Sequence, residues 1–208
     1  MGTRSKIMLM MFFLILLIGC HKESEDRNYF HGKISESLHP FLFDTGSYWI
    51  YKRSNSSIPD STVVKSISKN TFIVGPMGPG QGDQGDEEYY NIHYLSFPAN
   101  NVYDEQLLGY VISRGLYYGG CVLLSSKKVG DKGLNAEILE VLDSLTVENK
   151  IYKTVVKMKV NQDKYIDQNY QLYYVDSIGV IKKEIMGNGT VTETWNLLRF
   201  RTKLLPVK

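Results

Sequence analysis

The sequence has few of the residues that build catalytic and metal sites. It contains two cysteines and four histidines in 208 residues. Three histidines precede residue 40, which leaves His93 alone in the patterned part of the chain. A zinc site needs three or four close ligands, and no such spacing is visible. Nucleotide-binding and hydrolase motifs are also missing. We therefore predict a protein that is not an enzyme and that has no metal ligands and no cofactor.

No apolar run is long enough to cross a bilayer. The longest, Ile7 to Ile18, has twelve uncharged residues, whereas a transmembrane helix needs about 20. Arg4 and Lys6 precede it, and Gly19 follows it. A basic start, a short apolar run and a small residue are typical of a secretory signal peptide. The sequence therefore predicts a signal peptide over residues 1–19.

The chain also lacks an excess of positive charge. Its 24 basic and 22 acidic residues give a net charge of +2. Two of the basic residues, Arg4 and Lys6, belong to the predicted leader, so the remaining chain has 22 of each sign. Nucleic-acid binding depends on clustered Lys and Arg. We therefore expect no nucleic-acid partner.

The end of the leader indicates what is attached to the mature chain. Leu17-Ile18-Gly19-Cys20 resembles the lipobox of bacterial lipoproteins. The resemblance implies cleavage before Cys20, a diacylglyceryl group on its thiol and acylation of the new amino group, with palmitate as a typical chain. Because two or more acyl chains hold a protein firmly on a membrane, we expect anchoring through Cys20. The alternative is an ordinary cleavage site that happens to end in cysteine.

Residues 20–40 follow as a predicted lipidated tether. Lys22 and the acidic residues after it resemble the export signal of surface lipoproteins in Bacteroidetes-type bacteria, although Ser24 interrupts the acidic pair. The resemblance implies the outer membrane as location, with display at the cell surface. A solvated linker is the alternative. A single folded domain is predicted over residues 41–208.

The rest of the chain predicts short strands separated by turn residues. Residues 151–160 alternate between a face with Tyr152, Thr154 and Val156 and a face of lysines, which is typical of a half-buried antiparallel strand. Asn188-Gly189 is a strong hairpin signal. Other turns are predicted at residues 69–70 and 149–150. The predicted fold is all-β and antiparallel, either a strongly curved meander or an open barrel-like sheet.

Two stretches resemble uncharacterised Bacteroidetes-type outer-membrane lipoproteins. The first, residues 46–51, has the pattern G-x-x-W-x-Y. The second, residues 173–182, has Y-Y-x(4)-G-V-I-K and is followed by Trp195-Asn196-Leu197. Ser47 and Val180 depart mildly from the usual Asn and Leu. The resemblance implies a β-rich lipoprotein in which an aromatic strand packs on a glycine-containing hairpin, and it transfers no catalytic residue.

Two features leave alternatives open. Asp83, Asp86, Glu87 and Glu88 follow a glycine-rich stretch and have the oxygen ligands that Ca²⁺ prefers, but their spacing does not match an EF-hand, and a solvated hairpin loop is the favoured alternative. Cys121 has no second cysteine to pair with once Cys20 carries lipid. It is then a buried inert thiol, a free thiol or half of an intermolecular bridge.

Fifteen tyrosines are the unusual component. They either suit half-buried strands or offer ring faces to a partner. We expect a non-catalytic binding or structural module of the cell envelope that engages a protein, glycan or lipid ligand. One alternative is an apolar-ligand carrier with a cavity inside the curved sheet. Another is an enzyme or enzyme accessory subunit, with His93, Glu137 and Cys121 meeting in one cleft.

Overall fold

The computed structural model describes residues 30–34, 36–75, 85–97, 105–112, 115–118, 121–123, 127–133, 135–161 and 168–206. Nearly all of its regular structure is β-strand. The strands are β1 Phe30–Gly32, β2 Tyr48–Arg53, β3 Asp60–Val74, β4 Gly85–Phe97, β5 Glu105–Ile112, β6 Gly115–Tyr118, β7 Cys121–Leu123, β8 Lys132–Gly133, β9 Ala136–Val147, β10 Lys150–Val160, β11 Asn169–Val175, β12 Gly179–Gly187 and β13 Thr190–Arg201. A 3-10 helix spans Glu36–Phe41.

The described strands form one open, strongly curled sheet in the shape of a half-barrel. Its order is β7-β6-β5-β4-β3-β2-β13-β12-β11-β10-β9-β8, with β1 beside β4. The sheet stays open, although β7 has Cα atoms within 8 Å of β8 and β9. The predicted curved all-β fold is confirmed. The sheet is not wholly antiparallel, because β1 and β4 form a parallel pair.

Hairpin turns join the strands of the second half. Asn188 and Gly189 have φ angles of 49° and 80°, and Gly187 pairs with Thr190 around them. Positive φ at both central residues is the mark of a type I′ turn, so this predicted turn is confirmed. The turn predicted at residues 149–150 lies one residue earlier, because Lys150 already pairs with Val147.

Strand β3 is longer than the sequence predicts. Lys69 pairs with Tyr90 and Asn70 pairs with Tyr89, so the expected turn at residues 69–70 is wrong. Both residues have a low strand propensity. The hydrogen bonds of the neighbouring β4 keep this part extended.

Most of the core lies on one face of the sheet, which we call the inner face. In neighbouring strands, Met158 pairs with Leu172, and both side chains are buried. Ile181 and Leu197, on β12 and β13, are fully buried as well. We call the opposite side the outer face.

The chain before β2 packs on the inner face instead of remaining a tether. We call residues 34–43 the inner segment. Its Leu38 and Leu42 have exposed fractions of 0%, and the ring of Phe41 lies edge-on to that of Tyr174, with centroids 5.8 Å apart. The predicted tether of residues 20–40 is therefore too long. Its apolar residues are few, but they bury themselves among the aromatic side chains of the sheet.

The hairpin of β9 and β10 bends back over the outer face. The Nδ2 atom of Asn196 on β13 donates a hydrogen bond to Oε1 of Glu148 in the hairpin turn, over 3.1 Å. Lys150 donates to the carbonyl oxygen of Leu198. Thr154 has a φ of 53° and is exposed, whereas Val155 and Val156 are both fully buried. The predicted alternation along β10 therefore breaks at Thr154.

Candidate functional site

The two stretches that resemble lipoprotein motifs lie against each other. The indole nitrogen of Trp49 donates a hydrogen bond to the carbonyl oxygen of Ile178. The hydroxyl of Tyr51 donates to the carbonyl oxygen of Val180 over 2.8 Å. Gly179, between these two carbonyls, has a φ of 90°, and a Cβ atom there would lie 3.4 Å from the indole nitrogen of Trp49. The expected packing of an aromatic strand on a glycine-containing hairpin is present.

A cluster of rings and charges continues from this junction along the inner face. Strand pairing places Arg53 opposite Trp195, and Trp195 opposite Lys183. Lys183 in turn pairs with Leu172 of the core, so these side chains share the inner face. We call the following set the tryptophan cluster: Arg53, Asp60, Tyr170, Lys183, Glu193 and Trp195.

Cations alternate with rings in the tryptophan cluster. The guanidinium carbon of Arg53 lies 5.0 Å from the ring centroid of Trp195. The ammonium nitrogen of Lys183 lies 5.2 Å from the same ring and 4.4 Å from that of Tyr170. Cation–π contacts at these distances each contribute about 0.5–1 kcal/mol at exposed sites. The two rings are half-buried, so part of each remains open to solvent.

The carboxylates of the cluster are held by the same residues. Glu193 accepts hydrogen bonds from Arg53 and from the indole nitrogen of Trp195. Asp60 is buried, with a carboxylate oxygen 3.7 Å from the guanidinium of Arg53. Burial alone would raise the pKa of Glu193, but the hydrogen bonds from Arg53 and Trp195 outweigh it and lower that pKa below its usual value. Glu193 is therefore ionised at neutral pH.

A second cluster lies on the outer face. Strand pairing puts Tyr173 between Lys157 and Lys182, whose ammonium nitrogens lie 5.5 and 5.1 Å from its ring centroid. The Tyr173 hydroxyl donates to Glu184 over 2.8 Å, and Lys182 pairs with the same carboxylate at 2.6 Å. Burial first, and then the bond to Glu184, raises the pKa of Tyr173, so the phenol stays protonated.

The two clusters share an electrostatic character. Burial alone would raise the pKa of Glu184. The hydrogen bonds from Lys182 and Tyr173 outweigh this effect, so the pKa of Glu184 is lowered, as is that of Glu193. A carboxyl group that exchanges protons in catalysis near neutral pH needs a raised pKa. Both carboxylates are fixed as hydrogen-bond acceptors, and such clusters suit the stabilisation of the sheet or the contact with a ligand.

Two of the acidic residues considered for Ca²⁺ lie against basic side chains of the protein. Asp86 lies 2.7 Å from His31, and Glu88 lies 2.7 Å from Lys69. Glu87 falls between them on the other side of β4, because side chains alternate along a strand. Asp83 and the lipidation residue Cys20 lie outside the described residues. Within those residues, no three Cys, His, Asp or Glu side chains group as metal ligands.

The three residues considered for an enzymatic cleft lie on different strands. His93 is on β4, Glu137 on β9 and Cys121 on β7. By strand alternation His93 and Glu137 both face outward, and their strands are not neighbours in the sheet. Glu137 lies near Lys132, at 3.9 Å. The structure therefore does not bring His93 and Glu137 together.

His93 has an unexpected environment. A strand histidine is expected to be at the surface or hydrogen-bonded, yet its Nε2 atom is buried and has no hydrogen-bond partner among the residues that the structure describes. The Oδ1 atom of Asn91, two residues earlier on the same face, is in the same state. Each of these atoms bears the desolvation cost of an unpaired polar group, about 1–3 kcal/mol.

Most of the tyrosines described on the inner face build the core. Tyr90, Tyr94 and Tyr174 are buried. Tyr173, next to Tyr174, is buried on the outer face. This finding supports the structural interpretation of the tyrosine content. Tyr170 in the tryptophan cluster is an exception, since it stays half-buried.

Sequence reasoning did not find the tryptophan cluster. Arg53, Lys183 and Glu193 are distant in sequence and belong to no chemical motif. The one available signal was Trp195, which closes the second lipoprotein-like stretch. The cluster becomes visible only once the order β2-β13-β12 is known.

Comparisons with protein-family models, with curated proteins and with solved structures find no match to this chain. In the part of the chain that the structure describes, no helix has the length and apolar character needed to cross a membrane.

Proposed function

We propose that this chain is a lipid-anchored, non-catalytic binding or structural module of the cell envelope. Acylated Cys20 attaches it to the outer membrane, and it is displayed at the cell surface. The leader at residues 1–19 and the lipobox that ends at Cys20 support the anchor. The lowered pKa values of Glu184 and Glu193 support a non-catalytic role, because both carboxylates are held by cations and ring donors.

The observation that carries the proposal is the packing of the inner segment. Leu38, Leu42 and Phe43 cover the inner face with exposed fractions of 0–3%. A carrier of an apolar ligand would use this face as its cavity, whereas here the chain's own side chains pack against it. The packing therefore favours contact at the surface over carriage inside the sheet.

The tryptophan cluster is the surface proposed for that contact. Indole and phenol rings combine apolar area with a polar group, and Arg53 and Glu193 add charged hydrogen-bonding groups beside them. A glycan needs both kinds of contact, since a sugar has apolar ring faces and hydroxyl groups. We propose a glycan as the ligand.

The anchor is tested by intact mass of the protein extracted from membranes, together with protease treatment of whole cells. We expect the mass of the chain from Cys20 onward plus its acyl groups, and loss of the protein from protease-treated cells. A mass without lipid would overturn the anchor. Acylated protein that resists protease would place it inside the envelope and overturn surface display.

The binding surface is tested by tryptophan fluorescence. The chain has two tryptophans, of which Trp49 is buried and Trp195 is half-buried. We expect glycans of the envelope or the surroundings to change the emission of the wild type, and the change to disappear in Trp195→Phe. Fatty acids serve as the control and should change neither protein. A fatty-acid response retained in Trp195→Phe would report on Trp49 and favour the carrier.

A further inference from the structure

Strand β1 fixes where the chain enters the fold. It runs parallel to β4, with Phe30 opposite Gly85 and Gly32 opposite Glu87. Gly85 is the first residue of β4 and pairs with Val74, the last residue of β3. The chain therefore joins the sheet where β3 stops and β4 starts. We call this place, formed by β1 with residues 71–74 and 85–88, the hairpin end.

The length of chain before β1 limits how far the hairpin end can lie from an anchor on Cys20. Ten residues separate Cys20 from Phe30. They span at most about 35 Å when fully extended. Strand β3 has 15 residues, which corresponds to about 50 Å. An anchored Cys20 thus ties the hairpin end to within about 35 Å of the bilayer, and Asp60 lies at the other end of β3.

The side chains at the hairpin end suit a membrane surface. Exposure rises along β3 from 1% at Val64 to 72% at Ile73, so Ile73 is an apolar side chain in solvent. Two carboxylates at this end have partners within the protein. Asp86 lies against His31, and Glu88 lies against Lys69. The ion pair with Lys69 reduces the repulsion that anionic headgroups exert on Glu88.

We propose that the hairpin end faces the lipid bilayer, with Ile73 at the membrane surface, and that the opposite end of the half-barrel points away from it. The orientation rests on the proposed acylation of Cys20. It also places the tryptophan cluster away from the membrane, because Tyr51, two residues before Arg53 in β2, pairs with Asp60 at the far end of β3. The ligand surface would then be presented outward.

The test compares two positions of equal exposure. Ile73 and Ile151 are both 72% exposed. Ile151 lies near the turn of the β9–β10 hairpin, where Glu148 pairs with Lys52 of β2, and this is the end opposite to Ile73. Each is replaced by cysteine in a Cys121→Ser background and labelled with an environment-sensitive fluorophore. The acylated proteins are reconstituted in phosphatidylethanolamine and phosphatidylglycerol vesicles that contain lipids with a nitroxide on the headgroup.

We expect the label at Ile73→Cys to lose several times more fluorescence to the nitroxide lipids than the label at Ile151→Cys. Equal quenching, or stronger quenching at Ile151→Cys, would overturn the orientation while leaving the anchor intact. The Cys20→Ser protein is the control and should show quenching at neither position. A label at Ile73→Cys that is shielded in the Cys20→Ser protein without vesicles would indicate a second copy as the occupant and would also overturn the proposal.

Failure of the anchor is distinguished by flotation. If the wild-type protein does not float with vesicles and its mass shows no acyl groups, the proposed function loses its anchor and the orientation falls with it. If it floats and the two labels respond alike, only the orientation is wrong.

Discussion

Two long hairpins of similar size behave differently in this fold. The β3–β4 hairpin has strands of 15 and 13 residues, and the β9–β10 hairpin has strands of 12 and 11. The first leaves the core, and its Ile73 is 72% exposed. The second folds back over the sheet, and Val147 beside its turn is 3% exposed.

The difference lies in the contacts of each hairpin beyond its own strands. Glu148 and Lys150 bind β13, and Thr154 supplies a residue with positive φ where the second hairpin bends. The end of the β3–β4 hairpin gains β1, which pairs with β4 at its edge. Hairpin length alone therefore does not decide between bending and extension. The contacts that each hairpin makes near its turn decide whether it bends over the sheet or extends away from it.

The largest contrast is expected from one substitution made in both hairpins. Ile138 on β9 is 1% exposed, whereas Ile73 on β3 is 72% exposed. Ile138→Ala should lower the free energy of unfolding by about 3 kcal/mol, because it leaves a cavity in the core. Ile73→Ala should change it by less than about 0.5 kcal/mol. Urea unfolding measures both. Equal losses would mean that the β3–β4 hairpin is packed in solution.

Acid is expected to loosen the sheet that supports the bent hairpin. The pKa values of Glu184 and Glu193 are lowered from 4.5 in the folded state. Their contribution to stability is therefore complete above pH 4.5 and is lost as the pH falls through the folded values.

Amide exchange as a function of pH checks this expectation. Protection in β12, β13 and the β9–β10 turn should fall below pH 4.5. A double variant, Glu184→Gln with Glu193→Gln, should be less stable at neutral pH and should show a flatter acid dependence. Unchanged acid dependence in this variant would contradict the assignment.

Removal of the Tyr152 hydroxyl on β10 should have a smaller effect, and it should stabilise the protein instead of destabilising it. It is buried and has no hydrogen-bond partner among the described residues, and burial raises its pKa. Tyr152→Phe removes this unpaired group and should raise the free energy of unfolding by about 1 kcal/mol. Tyr173→Phe is the matched control. Its hydroxyl donates to Glu184, so the loss should be about 1 kcal/mol. Chemical denaturation that ranks the two variants the other way would refute the prediction.

The smallest effect tests the bend itself. Thr154 is a β-branched residue with a φ of 53°, a conformation that costs such residues about 1–2 kcal/mol and glycine almost nothing. Thr154→Gly should stabilise the protein by about 0.5 kcal/mol after the extra entropy of glycine is counted. Thr71→Gly in the β3–β4 hairpin should destabilise the protein by a similar amount. Thermal unfolding measures both variants. If both substitutions shift the unfolding temperature in the same direction, Thr154 is not the source of the bend.

The sequence predicted the local features of the fold better than its long-range ones. Asn188-Gly189 forms the predicted turn because a type I′ turn depends only on this dipeptide and on the strands that flank it. Residues 69–70 were assigned to a turn on local propensity, but β4 holds them in a strand. The pairing of β1 with β4 joins residues 55 positions apart, as in His31 and Asp86, and no local pattern encodes it.

The candidate site was less accessible to sequence reasoning. Trp49, Tyr51 and Gly179 were found because they belong to recognisable stretches, and their mutual packing was expected. The tryptophan cluster was missed because Arg53 and Lys183 meet on Trp195 only through the order β2-β13-β12. The roles proposed for Cys20 and for the cluster remain predictions with the tests given above.

The short parallel strand β1 has a mechanical consequence. A force that pulls on the N-terminus meets β1 first, and its three residues have few backbone hydrogen bonds to break. Their release lengthens the connection by about 10 Å before the load reaches Ile34 and Leu38, which are buried. In a force-extension measurement we expect a small early step and then a much larger one as the inner segment leaves the sheet. With the proposed anchor on Cys20, a shear force would thus be absorbed by β1 before the half-barrel is disturbed.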